Sequence, residues 1–257
     1  MGINVSTENM EKVFERTEGL KKVKTHYCPG CGHGVVHRLT METVMELGIQ
    51  DKTIGIAPVG CSVFAYYYMN VDMQQAAHGR ACAVATGIKR MLPNHYVFTY
   101  QGDGDLAAIG TAETIHACSR GENITIIFIN NAIYGMTGGQ MAPTTIEGQK
   151  TSTSPEGRDY SMDGMPINMS EIVALLPGTV YVERLAVNNP GRVRKTKKAI
   201  MKAFKAQELK KGTSFIEVVS NCNTNWKMTP VEANKWIDDV LLKQYPLGVF
   251  KDETGIK

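Results

Sequence analysis

Residues 100–110 read YQGDGDLAAIG, with two carboxylates, Asp103 and Asp105, among the glycines. The run before them, 95–101, has the composition of a buried strand, and residues 106–119 have that of a helix. A strand-to-helix turn favours phosphate, because the first N–H groups of the helix point at it. Two acids there would repel a phosphate. A metal removes the contradiction, since Mg²⁺ takes a few carboxylate or carbonyl oxygens together with substrate phosphates. Asp103 is then the first candidate ligand. The next apolar run, NITIIFINN, ends in Asn130-Asn131-Ala132-Ile133. Its carboxyl end lies at the edge where open α/β sheets bind ligands. An asparagine oxygen and a backbone carbonyl from that end can complete the metal set. An isolated GDG reads as a turn with capping aspartates, but Asn131 follows Asp103 by 28 residues at the end of the next strand, which is far more specific. A nicotinamide-binding turn is disfavoured, because GDGDLA lacks the third glycine of that fingerprint and falls in the middle of the chain.

The second chemical feature is thiols. Six cysteines occur: 28, 31, 61, 82, 118 and 222. YCPGCGHG sets Cys28 and Cys31 in a C-x-x-C turn whose glycines let the backbone wrap a metal. Cys61 follows a strand and a glycine in VGCS, and Cys222 follows the last strand in VSNCN. These four suit a Cys₄ site for zinc or for an iron–sulfur cluster. A redox C-x-x-C pair is the alternative, but no strand precedes Cys28 as such a motif requires. Cys82 and Cys118 fall inside helical patterns and read as small buried hydrophobes.

These residues need a scaffold that brings loop ends together. Helix 33–48, strand 52–60, helix 79–92, strand 95–101, helix 106–119, strand 123–131, strand 179–185, helix 190–211, strand 214–219 and helix 230–245 alternate along the chain. The strands are nearly continuous apolar runs, as when both faces of a sheet are covered. The expected fold class is α/β, a doubly wound, mostly parallel sheet. Residues 65–70, AYYYMN, read as strand, core or substrate entrance. Residues 1–24 read as a surface helix or arm. The polar stretch 141–166 exceeds an ordinary connection and reads as a functional or mobile loop.

Composition excludes several classes. With 43% apolar and 21% charged residues and a net charge of +3, the chain shows no case for nucleic acid or a membrane surface as partner. No apolar run reaches the ~20 residues that span a bilayer, and the polar N-terminus carries no signal-peptide core. Gly2 with Ser6 matches the myristoylation pattern only as a short pattern does by chance. The expected compartment is the cytoplasm, where disulfides are rare.

GDG followed by Asn-Asn resembles the thiamine-diphosphate motif of thiamine-dependent enzymes. With CPGCG, GCS, HGR at 78–80, NNAIYGMTGGQ and the late cysteine in one order, the chain from about residue 20 onward resembles the β subunit of the 2-oxoacid:ferredoxin oxidoreductases. The resemblance implies a single thiamine-diphosphate-binding domain over 1–257, with a short cluster-binding segment near 25–35. It implies Mg²⁺ held by Asp103, the Asn131 side chain and the Ile133 carbonyl. Thiamine diphosphate would contact Val59, Gly60, Cys61, Ser62, His78, Gly104, Asp105 and Gly135, with Asp105 acting through its backbone or as an N-cap. Cys28, Cys31, Cys61 and Cys222 would hold a [4Fe–4S] cluster. Phe64 and Thr137 would face the substrate. His78 by itself reads as a structural histidine, and its place before a helix favours the cofactor. The implied reaction is anaerobic oxidative decarboxylation of a 2-oxo acid to acyl-CoA and CO₂, with CoA as co-substrate and ferredoxin as electron acceptor. The glutamate that activates thiamine is assigned to no residue here; the family carries it on a separate α subunit, giving a heterodimer or a dimer of heterodimers. Subunits of γ and ferredoxin-like type are further family partners. Relatives using 2-oxoglutarate commonly carry a basic residue three positions after the GCS cysteine; here it is Phe64. That points to the branched-chain, 2-oxoisovalerate type, with 2-oxoglutarate or pyruvate as alternatives. A Cys₄ zinc protein of structural role, and a thiamine decarboxylase or synthase without redox chemistry, are the other readings.

Overall fold

A computed structural model describes residues 15–256; most of the arm expected over 1–24 lies outside them. Seven strands form one sheet: β1 (Thr53–Ala57), β2 (Asp72–Gln75), β3 (Tyr96–Gly102), β4 (Thr125–Asn130), β5 (Thr179–Ala186), β6 (Thr213–Val219) and β7 (Gly248–Asp252). Their order is β2-β1-β3-β4-β6-β5-β7. All neighbours run parallel except β5 and β7. The helices are α1 (His33–Glu46), α2 (Ala65–Tyr68), α3 (Ala81–Met91), α4 (Thr111–Arg120), α5 (Tyr160–Asp163), α6 (Met169–Ala174), α7 (Pro190–Glu208), α8 (Pro230–Trp236) and α9 (Leu242–Gln244).

Every residue of β1, β4 and β6 is buried, because helices cover both faces. Val36 and Leu39 of α1 and Ile200 and Phe204 of α7 pack with Phe98 and Ile127 on one face. Cys82 of α3, Ala117 of α4 and Val173 of α6 pack with Val97 and Ile126 on the other. Local chemistry sets the helix starts: Asn189 caps α7 ahead of Pro190, and Thr229 with Glu232 forms a capping box on α8. The expected doubly wound sheet is therefore present.

Four readings change. AYYYMN is not a strand: residues 65–68 form α2, where Tyr68 turns inward and its hydroxyl takes the backbone N–H of His26. The helix expected over 106–119 opens as a π-helical turn, Asp105–Ile109, before α4. Gly79 approaches so closely there that a Cβ on Gly110 would lie 2.7 Å from its carbonyl oxygen. The helix expected over 230–245 is likewise divided by a π-helical turn at Ile237–Leu241. Strands β2 and β7 had no sequence signal, since both lie at sheet edges and are largely exposed.

Candidate active site

The sheet order places the carboxyl ends of β1, β3, β4 and β6 side by side. Gly102 of β3 pairs with Ile129 of β4, so Asp103 and Asn131 emerge together. Asp103 is 2% exposed. Its Oδ1 accepts the Asn131 backbone N–H at 3.1 Å, and its Oδ2 accepts the Thr144 hydroxyl at 2.5 Å. Burial pushes its pKa up to about 7, against the opposing pull of Thr144 and nearby backbone N–H groups. One outer atom of the Asn131 amide faces Asp103 Oδ1 at 3.1 Å and the Ile133 carbonyl at 2.9 Å. With its nitrogen there, the amide donates to both oxygens. With its oxygen there, a carboxylate, an amide and a carbonyl oxygen converge on one point. That is the all-oxygen donor set of Mg²⁺, and the cation would supply the positive charge that a buried carboxylate needs. The expected metal ligands thus meet, and their chemistry fits.

Ala132 adopts a left-handed φ of 56° inside this turn. Its N–H donates to Asn130 Oδ1, and its carbonyl accepts from Thr145 and Gln149. These bonds hold a conformation that a non-glycine residue adopts only under constraint.

Val59, Gly60, Cys61, His78, Asp103, Gly104, Asp105, Asn131, Ile133, Gly135 and Thr137 line one cavity at this edge. Ser62, next in the chain to Cys61, is not in the lining; it is 1% exposed, and its hydroxyl has no partner among the described residues. Phe64 is not in the lining; it packs edge-on against His26, with centroids 5.1 Å apart. Asp105 departs from the expected N-cap role. Its carboxylate accepts from His78 Nδ1 at 2.7 Å, Gly79 N–H at 2.6 Å and Gln101 Nε2 at 2.6 Å. It ties the HGR turn to the GDGD turn and leaves the cavity to backbone groups. Burial raises its pKa; the Gly79 and His78 bonds oppose the rise.

Gly104 has ordinary helical φ and ψ, so its need is space. A Cβ there would lie 2.0 Å from the Tyr134 ring, which also lines the cavity. Gly104→Ala is expected to displace that ring and weaken thiamine diphosphate binding by about tenfold, the scale of a small overpacking penalty. Equilibrium dialysis measures it, with circular dichroism unchanged.

A second cavity adjoins the first. Cys28, Cys31, Cys61 and Cys222 all line it, and His33, Cys61, Asn131, Gly135 and Met136 line both. A Cβ on Gly135 would lie 3.2 Å from Cys61 Sγ and 3.5 Å from Cys222 Sγ, so that glycine leaves room between the two thiols. The CPGCG segment docks on the Cys222 loop through small residues. Gly30 has φ of 82° and faces Pro230, and a Cβ on Gly32 would strike Ser220 Oγ at 2.0 Å. Asn221 Oδ1 accepts the Gly32 N–H, and Asn223 donates to the Pro29 carbonyl.

Burial pushes Cys31 and Cys61 each up to about 12, and the neighbouring thiols push the same way. Both are therefore neutral thiols in the free chain, and a cationic centre bound there would draw off their protons. Among the described residues, no three His, Cys, Asp or Glu side chains stand close enough to hold one metal ion. Four thiols round a cavity suit a polynuclear cluster better than a single zinc. Tyr27, in the same wall, adds a buried hydroxyl without a partner among the described residues, a donor of the kind that cluster sulfur accepts. Cys82 and Cys118 are buried in α3 and α4, apart from both cavities.

Sequence reasoning missed His26, Tyr27 and His33 in the second cavity, and Thr144, Thr145, Gln149 and Arg158 around the first. His33 was within reach, as part of CGHG. Tyr27 was too, as the first residue of YCPGCGHG, and His26 adjoins it; Thr144, Thr145, Gln149 and Arg158 sit in a polar stretch whose composition marks no role.

Residues 58–218 match the family model "Thiamine pyrophosphate enzyme, C-terminal TPP binding domain". The ketoisovalerate oxidoreductase subunit VorA of Methanothermobacter thermautotrophicus is 46% identical over 248 residues, covering 96% of this chain and 52% of that protein. The chain thus spans about half the length of that relative. The 2-oxoglutarate synthase subunit KorB of Archaeoglobus fulgidus is 38% identical, covering 94% of this chain and 88% of the relative. The structure of 2-oxoglutarate:ferredoxin oxidoreductase from Magnetococcus marinus, with 2-oxoglutarate, coenzyme A and succinyl-CoA bound, superposes with a TM-score of 0.77 at 26% identity, covering 95% of this chain and 86% of that one.

Proposed function

Because this chain belongs to the thiamine-pyrophosphate-binding β subunits of the 2-oxoacid:ferredoxin oxidoreductases, we propose that it holds both cofactors of an enzyme converting 2-oxo acids and CoA to acyl-CoA and CO₂ while reducing ferredoxin. The observation that carries this is the wall shared by the two cavities, with Cys61 in both. Bound thiamine diphosphate would supply the electron sink for decarboxylation, and a [4Fe–4S] cluster the route for single electrons out. The chain's own residues do the rest. Asp103, Asn131 and Ile133 hold Mg²⁺. Gly104 and Gly135 let backbone approach the diphosphate, and His78, fixed by Asp105, borders it. Cys28, Cys31, Cys61 and Cys222 ligate the cluster. Among the described residues, the carboxylates lining the first cavity are Asp103 and Asp105, each already engaged, and the activating glutamate is assigned to an α subunit. A γ or ferredoxin-like subunit would extend the electron path.

All six cysteines are free thiols, which accords with a cytoplasmic setting. No helix among the described residues is long and apolar enough to cross a membrane. The test is anaerobic co-purification with the partner subunits, followed by iron, sulfide, magnesium and thiamine analysis. Stoichiometric zinc without sulfide would overturn the reading.

For substrate, 2-oxoisovalerate is favoured over 2-oxoglutarate or pyruvate. Phe64 packs on His26 and not in the cavity lining, so the reading rests on the want of a basic side chain at that position, while an aliphatic chain gains ~0.8 kcal/mol per buried CH₂. Thr137, at the exposed rim, bonds Gln140 and would border the substrate. In the assembled enzyme kcat/KM is expected to be highest for 2-oxoisovalerate. Phe64→Arg is expected to shift its ratio to 2-oxoglutarate by at least about tenfold, the scale of gaining one buried charge partner. A wild-type preference for 2-oxoglutarate would sink the assignment.

A further inference from the structure

The polar stretch 141–166 was open to two readings, functional or mobile. Its bonding is that of a brace. Arg158 is 5% exposed and donates to six backbone carbonyls of the stretch: Ala142 at 3.2 Å, Pro143 at 3.0 Å, Thr145 at 2.6 Å, Asp163 at 3.3 Å, Gly164 at 3.2 Å and Met165 at 3.3 Å. A planar guanidinium with five N–H donors can serve several carbonyls at once. Here it gathers two ends of one loop.

The loop so closed delivers three side chains to the metal-ligand turns. Thr144, fully buried, donates to Asp103 Oδ2 at 2.5 Å. Thr145 and Gln149 both donate to the Ala132 carbonyl, at 2.7 and 3.0 Å. From outside, Tyr245 donates to the Thr144 carbonyl at 2.7 Å, fixing the backbone of the residue that touches Asp103.

We infer that residues 141–166 are a positioning element for the cation site, in which Thr144 sets the Asp103 carboxylate and Arg158 keeps Thr144 in place. Thr144 bonds the carboxylate oxygen not shared with Asn131, so it fixes the plane of the carboxylate and turns Oδ1 to the cation. It touches neither substrate nor the reacting atoms. The inference rests on the reading of Asp103, Asn131 and Ile133 as Mg²⁺ ligands.

The test is an Mg²⁺ titration of thiamine diphosphate binding, by equilibrium dialysis, to the enzyme assembled with its partner subunits. Thr144→Val keeps shape and removes the donor; Thr144→Ser keeps the donor. The half-saturating Mg²⁺ concentration is expected to rise about tenfold in Thr144→Val, the scale of one hydrogen bond to a charged group, and to stay within about twofold in Thr144→Ser. Saturating Mg²⁺ should restore binding, which a collapsed site would not allow. Arg158→Lys keeps the charge without the fork and is expected to raise the Mg²⁺ requirement from outside the site. It stands as the second arm if Thr144→Val does not fold. An unchanged Mg²⁺ requirement in Thr144→Val, or an equal loss in Thr144→Ser, overturns the role of Thr144. An unchanged requirement in Arg158→Lys overturns the role of Arg158. A wild-type enzyme, assembled with its partner subunits, that binds no thiamine diphosphate at any Mg²⁺ concentration instead removes the functional reading itself, and this inference with it.

Discussion

Asp103→Asn is expected to abolish Mg²⁺-dependent binding of thiamine diphosphate while leaving the fold intact, and Asp103→Ala to do the same. Asp103 faces the Asn131 amide, which also meets the Ile133 carbonyl, and it is almost wholly buried. Removing one partner of a buried charge pair costs about 3–5 kcal/mol, which is roughly 10²–10⁴ in affinity. Without ligand, the wild type should hold no advantage in stability over Asp103→Asn. Burial raises the Asp103 pKa from 3.8 to about 7. A carboxylate whose folded pKa lies above its unfolded value weakens the fold as pH rises through that window. Asp103→Asn should therefore melt no lower than the wild type at neutral pH. Adding Mg²⁺ and thiamine diphosphate at about a hundred times Kd stabilises a folded chain by about 2.7 kcal/mol, or roughly 5–10 °C at this size. That shift is expected for the wild type and absent from Asp103→Asn. An equal shift in both would remove Asp103 from the metal site.

Cys222→Ala is expected to lose the iron–sulfur cluster, and Cys118→Ala to keep it. Cys222 and Cys61 face the same glycine across the second cavity. Asn225 donates to Cys222 Sγ at 3.3 Å, a bond that stabilises a thiolate and orients the ligand. Cys118 is fully buried in α4, and burial pushes its thiol up in pKa, as for an inert side chain. Its truncation should cost on the order of 1 kcal/mol of folding stability through the small void. Iron, sulfide and visible absorption of the two anaerobically purified variants decide the matter. Equal iron and sulfide in both would end the assignment of Cys222 as a ligand.

The strands at the centre of the sheet were legible because they are buried on both faces, so β3, β4 and β6 are mostly apolar runs. Strand β2, with the sequence DMQQ, has an exposed edge and therefore no pattern to read. In α2, the tyrosine run has strand propensity, but Tyr68 bonding His26 and the turn after Cys61 hold a helical turn instead. The π-helical turn at 105–109 comes from contact with Gly79, a neighbour only in space. The 141–166 stretch shows the same limit. Polar residues mark a loop facing water and a loop satisfying its own buried carbonyls equally well, and only the position of Arg158 separates them.

By itself the sequence determined the chemistry available: an acid in a phosphate turn, an asparagine pair ending the next strand, four loop-borne thiols, and an alternation that specifies a doubly wound sheet. These are properties of residue type and local spacing, which short-range backbone preferences and hydrophobic periodicity express directly. The tertiary structure decided which of those groups meet. The order β1-β3-β4-β6 gathers the carboxyl ends of strands far apart in the chain, so that Cys61 stands by Cys222 and one wall serves both cavities. It also turned Asp105 away to the HGR turn and supplied Thr144 to Asp103. Such meetings depend on long-range packing and on burial, which makes each polar group find whichever partner the fold brings near.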